Sequence, residues 1–439
     1  MLLSRCERHS PLPAIVLEWQ IAALPPPLPT TWEVRMPQPF FGKNALIILT
    51  AESIAAVHTA MGEIARLGGH IVHVYPPRVL IGEVPADAEP QVRALANVGR
   101  LYRNRVDLAE VEPFGPGVVQ AVKGWNRGFA ASFHALKSGR SSEGRSWGAP
   151  GYAAEGPVQP PPGRSSAGGA PGRPTTPGAD TSAYLIGKVA TSILLVEGTA
   201  PRYSFSQMER DTVVAEIQDG LGWLASCEPR ARVSWFYEVN QVSLDLDPAH
   251  VADWSEDTWR DAAMAKLGYT PSWDGLEQYV RDRRAALGTE WAFAILVTRF
   301  PLWHFAYAFK PRVVVNYDLD GWGVDNLDRI IAHETAHIFG AADEYAESKC
   351  DCQERWGFLQ VENGNCELGA EHHEPCIMSH NAWAMCPYTR AHLGWRDSNG
   401  DGIFDPLDRQ RPLPPQPWWA RWLARLRRLV GGRAAPTVG

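Results

Sequence analysis

Hydrophobic residues in the first quarter of the chain follow two spacings, one typical of strands and one typical of helices. Four short apolar runs predict strands, at Ala45–Leu49, His70–Tyr75, Val79–Val84 and Arg100–Val106. Apolar residues at helical spacing predict two helices, the first marked by Ile54, Val57, Met61, Ile64 and Leu67 and the second by Val92 and Leu95. The resulting order, β-α-β-β-α-β, predicts a small ferredoxin-like unit over residues 37–110.

The second half of the chain also mixes strand and helix patterns. Runs of β-branched and aromatic residues predict further strands at Ser192–Val196, Val233–Leu246, Trp291–Val297 and Arg312–Tyr317. Ser206 and Glu209 have the spacing of a capping box, which predicts that a helix begins there. Another helix is expected to start near Asp325, and residues 250–287 predict an inserted helical region. The predicted fold class is α+β.

Composition separates the segments that can form a core from those that cannot. Residues 138–182 are rich in Gly, Pro and Ser, which predicts a disordered linker open to proteolysis. Residues 1–36 are a poorly defined leader, residues 111–137 a helical segment, and residues 183–396 the main unit. In the tail, 409–439, Trp and Leu share one helical face and Arg another. This tail is expected either to lie on an anionic membrane surface or to pack against the body.

The pentapeptide HETAH places two imidazoles on one side of a predicted helix. Because residues four apart lie on the same helix face, His333 and His337 can each present a nitrogen to one metal ion. Glu334 stands beside that pair and can take a proton from water. Gly340 allows the chain to leave the helix in a left-handed conformation, which would return Asp343 to the ion. Three protein ligands leave one zinc position open, as in catalytic sites.

The extended pattern resembles the metzincin zinc endopeptidases, whose signature is HExxHxxGxxH. Asp343 stands here in place of the third histidine, as in the snapalysin-like branch, and Glu344 is the alternative acidic ligand. Metzincins also carry a methionine turn beneath the metal, and Met378 in the sequence CIMSH fits that role, with a helix-compatible stretch following at Pro387–Trp395. The resemblance covers about the second half of the chain. It implies a twisted mixed sheet with one exposed edge strand that pairs with an extended peptide substrate.

The resemblance further implies a zinc-dependent endopeptidase that hydrolyses peptide bonds in proteins. Zinc would activate water and polarise the carbonyl, and Glu334 would act as general base and then return the proton to the leaving amine. His380 stands where some metzincins have a tyrosine that stabilises the oxyanion, so it is a candidate catalytic residue. The neighbouring His372 and His373 are candidates for a spare ligand. Two alternatives remain: a non-catalytic surface binding protein that holds zinc for structure, and a hydrolase restricted to one cognate or cell-wall peptide.

An acidic loop follows the main unit at residues 397–408. Its oxygen-bearing residues have the spacing of an EF-hand ligand ring, with glycine at the sixth position. The predicted calcium ligands are Asp397, Asn399, Asp401, Ile403 through its backbone carbonyl, Asp405 and Asp408. Because the chain from Arg409 onward is proline-rich, no exit helix is expected, and the loop is predicted to be a structural calcium clip. The alternative is a solvated acidic turn.

Five of the seven cysteines lie after the HETAH motif, at Cys350, Cys352, Cys366, Cys376 and Cys386. Long loops with little periodicity need cross-links, so disulfides in an oxidising compartment are expected. Because five is odd, one thiol stays free or pairs with Cys227 or Cys6. A second zinc site built on Cys350 and Cys352 is disfavoured by their spacing. The expected location is extracellular or the cell envelope, although Leu12–Leu24 makes a poor signal peptide.

The position of the ferredoxin-like unit ahead of the main unit resembles the propeptide domains of subtilisin-type zymogens. The resemblance implies that residues 37–110 assist folding or occupy the cleft until they are cleaved; an ordinary interaction domain is the alternative. Over all 439 residues the net charge is −7, which gives no nucleic-acid signature. The expected partners are a protein or peptide substrate and, through the tail, a membrane surface. The chain is expected to be a monomer.

Overall fold

The computed structural model describes residues 44–150, 180–246, 256–302 and 304–409. The predictions for the leader and for nearly all of the tail therefore lie outside the described residues, as does the middle of the predicted linker.

One large mixed sheet organises the described part of the chain. Its strands are β1 (Asn44–Leu49), β2 (His70–Tyr75), β3 (Val79–Glu83), β4 (Val98–Tyr102), β5 (Lys188–Gly198), β6 (Ser234–Leu244), β7 (Trp291–Thr298), β8 (Ala306–Phe309) and β9 (Arg312–Asn316). They lie in the order β4-β1-β3-β2-β6-β5-β7-β9-β8. Strands β6, β5, β7 and β9 run parallel to one another, and the edge strand β8 pairs with β9 in the antiparallel direction. A separate short pair joins β10 (Arg355–Trp356) to β11 (Val361–Glu362).

Helices cover both faces of the sheet. They are α1 (Ile54–Arg66), α2 (Glu89–Arg93), α3 (Pro116–Arg127), α4 (Ala131–Ser138), α5 (Gln207–Cys227), α6 (Glu256–Lys266), α7 (Trp273–Leu287), α8 (Leu327–Ile338), α9 (Pro387–His392) and α10 (Asp405–Asp408). The capping box predicted at Ser206 and Glu209 starts α5. The inserted helical region predicted before β7 contains α6 and α7.

Side chains of β5 alternate between two hydrophobic cores. Val189, Ile193 and Leu195 pack with α5 and α8 on one face of the sheet. Ala190, Leu194 and Val196 pack with α6 and α7 on the other face. Because successive residues of a strand point to opposite faces, a strand that is covered on both sides is a continuous apolar run, as this one is.

The N-terminal unit has the predicted order of elements, but its strands join the main sheet. Strand β2 pairs in parallel with β6 through His73 and Trp235, and through Val74 and Phe236. The Ser234 hydroxyl also donates to the Ile71 carbonyl at 2.6 Å. A free β2 edge would leave its backbone groups unpaired, and β6 supplies partners for them.

Several strands differ from the prediction, and β5, for example, extends beyond its predicted bounds at both ends. Strand β4 ends at Tyr102, four residues earlier than expected, because Val106 instead packs in the core beside α3, where the Asn126 side chain accepts its N–H at 2.8 Å. Strand β8 was not predicted, since the four-residue run AYAF is too short to show a periodicity.

The predicted disordered linker begins with residues that make fixed contacts. Arg140 donates to the Asp328 carboxylate of α8 at 2.7 Å, and Lys137 of α4 donates to the same carboxylate at 2.7 Å and also contacts Glu216 of α5. Burial alone would raise the pKa of Asp328, but the charges of Lys137 and Arg140 hold it below its ordinary value. Residues 139–150 were predicted to be disordered, but they make fixed contacts, among them the buried ion pair of Arg140 with Asp328.

Helices α5 and α8 approach closely at Gly220. A Cβ placed there would lie 2.1 Å from the backbone carbonyl oxygen of Asp328. Only a residue without a side chain therefore allows this helix pair to keep its separation, and the separation sets where α8 lies against the sheet.

We expect Gly220→Ala to destabilise the protein by about 1–3 kcal/mol, because the added methyl group pushes α5 away from α8. The matched control is Gly62→Ala on α1, where a Cβ would meet nothing within 4 Å. That control should be stabilised by about 0.5–1 kcal/mol, because alanine favours the helix. Urea unfolding of both variants measures the difference, and equal stabilities would contradict the close approach.

Candidate metal centre

The HETAH motif lies on α8, a helix that is buried along nearly its whole length. Two hydrogen bonds orient its imidazoles. The Nδ1–H of His333 donates to the Ile377 carbonyl at 2.9 Å, and the Nδ1–H of His337 donates to the Ala341 carbonyl at 2.9 Å. Because a carbonyl only accepts, both rings carry their proton on Nδ1, and both Nε2 lone pairs are free to bind a metal.

Three potential ligand atoms converge on one point. The Nε2 atoms of His333 and His337 are 3.1 Å apart, and the Asp343 Oδ1 lies 3.3 Å from the first and 3.1 Å from the second. Three ligands of a tetrahedral zinc ion with bonds of about 2.0–2.1 Å lie about 3.3 Å from one another. The triangle therefore has the size that zinc requires.

The electrostatics of the triangle favour a cation at its centre. Asp343 Oδ1 is buried and has no hydrogen-bond donor among the described residues. Burial lowers the pKa of His337, but the negative charge of Asp343 outweighs it and raises that pKa to about 9. Burial raises the pKa of Asp343, but the charge of His337 holds it well below its ordinary value. A proton or a metal ion is thus strongly favoured between these atoms.

The turn that returns Asp343 to the helix depends on Gly340. Its φ is +94°, in the region that favours glycine, and a Cβ there would lie 2.8 Å from the Cα of Gly357. The N–H of Gly340 donates to the His337 carbonyl at 3.0 Å and that of Ala341 donates to the Ala336 carbonyl at 3.0 Å, which ends the helix. The chain then reverses, as the motif predicts.

Glu334 lies in the same buried group of charges. Its side chain is only slightly exposed, and burial raises its pKa although the charges of His333 and His337 oppose the change. A carboxylate with a raised pKa beside a metal position exchanges protons more readily near neutral pH than an exposed glutamate.

Glu344, the alternative acidic ligand, is fully buried and faces away from the imidazoles. One of its oxygens accepts from Thr389 Oγ1 at 2.7 Å and from Cys386 Sγ at 2.9 Å, and the other accepts from Asn365 Nδ2 at 2.7 Å. These hydrogen bonds to the Glu344 carboxylate thus come from the loop that follows α8 and from α9, and Asp343 is the acid that completes the triangle.

Met378 lies in a tight turn behind the centre. The N–H groups of Ser379 and His380 both donate to the Cys376 carbonyl, at 3.0 and 2.8 Å, and the Met378 side chain is fully buried. The N–H of Glu344 donates to the Met378 carbonyl at 3.0 Å, which ties this turn to the residue after Asp343.

His380 lies in a different cluster from the HETAH imidazoles. Its Nε2 faces Glu367 Oε1 at 3.7 Å, and His373 Nε2 faces the same oxygen at 3.5 Å. Burial lowers the pKa of His380 although the charge of Glu367 opposes this. The structure groups His380 with Glu367 and His373, and its predicted catalytic role stays a prediction. His372 is exposed.

Trp147 is a contributor that the sequence did not reveal. Its Nε1–H donates to the Ile377 carbonyl at 2.6 Å, the same carbonyl that accepts from His333, and its ring lies 5.3 Å from the His333 ring. Its own N–H donates to the Ser379 carbonyl at 3.0 Å. The only sequence signal was a tryptophan within a stretch rich in glycine and serine.

In the acidic loop at 397–408, side-chain oxygens accept hydrogen bonds from backbone N–H groups of the same loop. Asp397 accepts from the N–H groups of Gly400 and Gly402 at 2.9 and 3.0 Å. Asn399 accepts from the N–H of Asp401 at 3.0 Å, and Asp405 accepts from Ser398. The short helix α10 lies within the loop, and the prediction that no exit helix follows falls on residues beyond Arg409, outside the described residues. None of the groups of His, Cys, Asp and Glu side chains close enough to hold an ion among the described residues includes this loop, so calcium stays a prediction.

The loop between α8 and α9 contains a disulfide between Cys350 and Cys366. Cys227, Cys352, Cys376 and Cys386 are free thiols, so the other expected cross-links are not formed among the described residues. Within the part of the chain that the structure describes, no helix combines the length and the apolar character needed to span a bilayer.

Comparison with known proteins finds a distant structural similarity and no family match. No protein-family model matches the chain, and no curated protein shows a significant match. The crystal structure of metalloproteinase-II from Bacteroides fragilis is similar over 48% of this chain and 54% of that chain, with 11% identity and a TM-score of 0.26. The match thus spans about half the length of that protein. A score this low does not establish a common fold, so function must be argued from the geometry of the site.

We expect Asp343→Ala to weaken zinc binding, because it removes one of the three candidate ligands. Losing an outer-shell partner typically costs about 10–100-fold in affinity, and the loss here should be larger. Glu344→Gln should keep the zinc and instead destabilise the protein by about 1–3 kcal/mol, because one buried donor loses its acceptor. Competition with a zinc-binding dye measures the affinity, and urea unfolding measures the stability. The reverse pattern would make Glu344 the ligand.

Proposed function

We propose that this protein is a zinc-dependent endopeptidase of the metzincin type. The observation that carries the proposal is the triangle of His333 Nε2, His337 Nε2 and Asp343 Oδ1, with edges of 3.1–3.3 Å and Glu334 beside it. Three ligands leave a zinc ion with an open position, which a structural site does not need.

The residues of the chain divide the chemistry among them. His333, His337 and Asp343 hold the ion, and the carbonyls of Ile377 and Ala341 fix the two rings. Zinc, when bound, supplies a Lewis acid that polarises a peptide carbonyl and lowers the pKa of water. Glu334 takes a proton from the attacking water and delivers it to the nitrogen of the leaving amine.

A peptide substrate would bind along the edge of the sheet. Among the described residues, strand β8 pairs only with β9, so its other side offers backbone groups to an extended peptide. Strand β9 leads through residues 317–326 into α8, so this edge and the HETAH motif are close in the chain. Backbone pairing of this kind holds a peptide with little dependence on its side chains, which suits a protease.

Two other functions remain in competition. A non-catalytic surface protein that keeps zinc for structure gains nothing from Glu334 beside an open position, which favours the enzyme. A hydrolase restricted to one cognate or cell-wall peptide would share the site and differ only in the walls of the cleft.

The N-terminal unit has a propeptide-like role in this proposal. Residues just after α4 pair with the chain beyond the methionine turn: the N–H of Gly144 donates to the Asn381 carbonyl at 2.9 Å, and Ser146 bridges His380. This contact supports restraint of the site by the segment that follows the unit, and not by residues 37–110 directly. Because β2 also pairs with β6, the unit should stay bound after the chain is cut.

The other proposed features rest on the sequence patterns. We keep calcium as a structural ion of the 397–408 loop, the tail as a contact with a membrane surface, and a monomer as the functional state. The Cys350–Cys366 disulfide supports an extracellular or envelope location and a secreted enzyme, because disulfides persist in oxidising compartments.

We expect Glu334→Ala to lower casein hydrolysis by at least about 100-fold while zinc stays bound, because the general base is lost and the ligands are kept. Hydrolysis is followed on gels with zinc and calcium present, and zinc is measured on the same samples. Equal activity in both proteins would remove Glu334 from the mechanism. If neither protein cleaves casein although both hold zinc, the binding-protein and narrow-substrate alternatives gain.

We expect that a single cut within residues 151–179 leaves the two fragments associated. The β2–β6 pairing and the contacts of Lys137 and Arg140 with Asp328 join the two fragments non-covalently, and the cut does not remove them. A protease site inserted there allows the cut, and size-exclusion chromatography shows whether the fragments elute together. Separation without denaturant would contradict the shared sheet. If the separated main unit were also the more active species, the unit would be a releasable propeptide.

A further inference from the structure

A second cluster of ligating side chains lies beyond the HETAH centre, in the loop between α8 and α9. It consists of Glu367, His373 and His380, whose ligand atoms all lie within 4.8 Å of one another. His373 Nε2 is 3.5 Å and His380 Nε2 is 3.7 Å from the same oxygen, Glu367 Oε1. The function proposed above makes no use of Glu367 or His373.

Each imidazole in this cluster has its other nitrogen occupied. The Nδ1–H of His373 donates to the Asn365 carbonyl at 2.7 Å. The Ser379 hydroxyl donates to the Cys376 carbonyl at 3.1 Å, so it accepts from His380 Nδ1–H, which lies at 2.8 Å. Both rings therefore carry their proton on Nδ1, as the two rings of the HETAH centre do, and both Nε2 lone pairs face the carboxylate.

The Glu367 carboxylate is also oriented by a hydrogen bond to its second oxygen. Glu367 Oε2 accepts from the N–H of Ala346 at 2.8 Å, which leaves Oε1 to face the two rings. Metal ligands are oriented in this way by a hydrogen bond to the atom that does not touch the ion. Three independent bonds thus aim three ligand atoms at one volume.

Hydrogen bonding alone does not explain the arrangement. Distances of 3.5 and 3.7 Å between nitrogen and oxygen are too long for charge-assisted hydrogen bonds. His373 Nε2 is buried and has no hydrogen-bond partner among the described residues. Lone pairs that face a carboxylate oxygen without a proton between them repel it, and a cation at the centre removes that repulsion.

We propose that Glu367, His373 and His380 form a second site for a divalent transition-metal ion, with zinc as the best match. Two imidazoles and one carboxylate are a donor set that zinc accepts, and hard ions such as calcium prefer oxygen alone. The two nitrogen–oxygen separations, 3.5 and 3.7 Å, exceed the about 3.3 Å of a tetrahedral zinc site by a few tenths of an ångström, and all three ligand atoms lie within 4.8 Å of one another, so side-chain rotations can bring them into place. The side chains are 23–24% exposed, which lets an ion enter and water fill a fourth position.

The ion in this site ties down the loops that form the first centre. The N–H of Glu367 donates to the Glu344 carbonyl at 2.9 Å, one residue from Asp343. His380 follows the methionine turn and lies two residues beyond Met378. A bond from one ion to both segments fixes the Asp343 side of the centre against the turn beneath it. Its role is structural and independent of whether the first site performs catalysis.

The test counts zinc ions in purified protein after dialysis against zinc-free buffer. Wild type should hold two zinc ions per chain. His373→Ala should hold one, and the double variant His333→Ala/His337→Ala should also hold one, having lost the other. The matched control is His372→Ala, which removes the adjacent exposed histidine and should leave both ions in place. Retention of one ion by His373→Ala shows that the variant is folded.

A second measurement uses wild type alone and so does not depend on how a variant folds. Diethyl pyrocarbonate modifies free imidazoles, and peptide mass spectrometry reports each histidine. Zinc should suppress the modification of His373 and His380 relative to the metal-free chain and leave His372 unchanged. Two zinc ions in His373→Ala, or equal modification of His373 with and without zinc, would overturn this second site. Neither result affects the first centre, whose failure appears instead as a zinc count in His333→Ala/His337→Ala that is unchanged from wild type.

Discussion

Two hydrogen bonds from imidazole to backbone carbonyl determine what the HETAH motif can do. His333 and His337 give up their Nδ1–H protons to Ile377 and Ala341, so both free lone pairs point at the same place. Asp343 can approach within 3.3 Å only because that place favours a cation. Had either ring adopted the other tautomer, a proton would occupy the position of the ion. The geometry of the candidate metal centre therefore depends on where two carbonyl groups lie.

Those carbonyls are positioned by segments distant in the chain. Ile377 belongs to the methionine turn, and its carbonyl accepts from Trp147 as well as from His333. In the same segment as Trp147, Arg140 pairs with Asp328 of the buried helix α8. Strand pairing, an ion pair and hydrogen bonds thus connect the N-terminal unit, the segment after it and the HETAH helix. Separating the unit would require breaking buried charge pairs as well as a pair of parallel strands.

The long loop between α8 and α9 has little hydrophobic periodicity, so it must be held by specific bonds. The disulfide closes one part of it, and the Glu344 carboxylate accepts from Asn365 and Cys386 of the loop and from Thr389 of α9. A second ion would hold the part that carries His373. A loop organised in this way can change its surface sequence freely while its buried anchors stay in place.

Local spacing was enough to predict the strands from β1 to β3, the capping box at Ser206, and the convergence of His333, His337 and Asp343. Each depends on helix or strand periodicity within a dozen residues. The sequence could not predict that β2 pairs with β6, that Trp147 packs on His333, or that His380 meets Glu367. Those partners are brought together by sheet order and buried charges. By itself the sequence determined which three residues converge as candidate metal ligands, whereas only the tertiary structure decided what surrounds them, because contacts between distant segments leave no periodic signal.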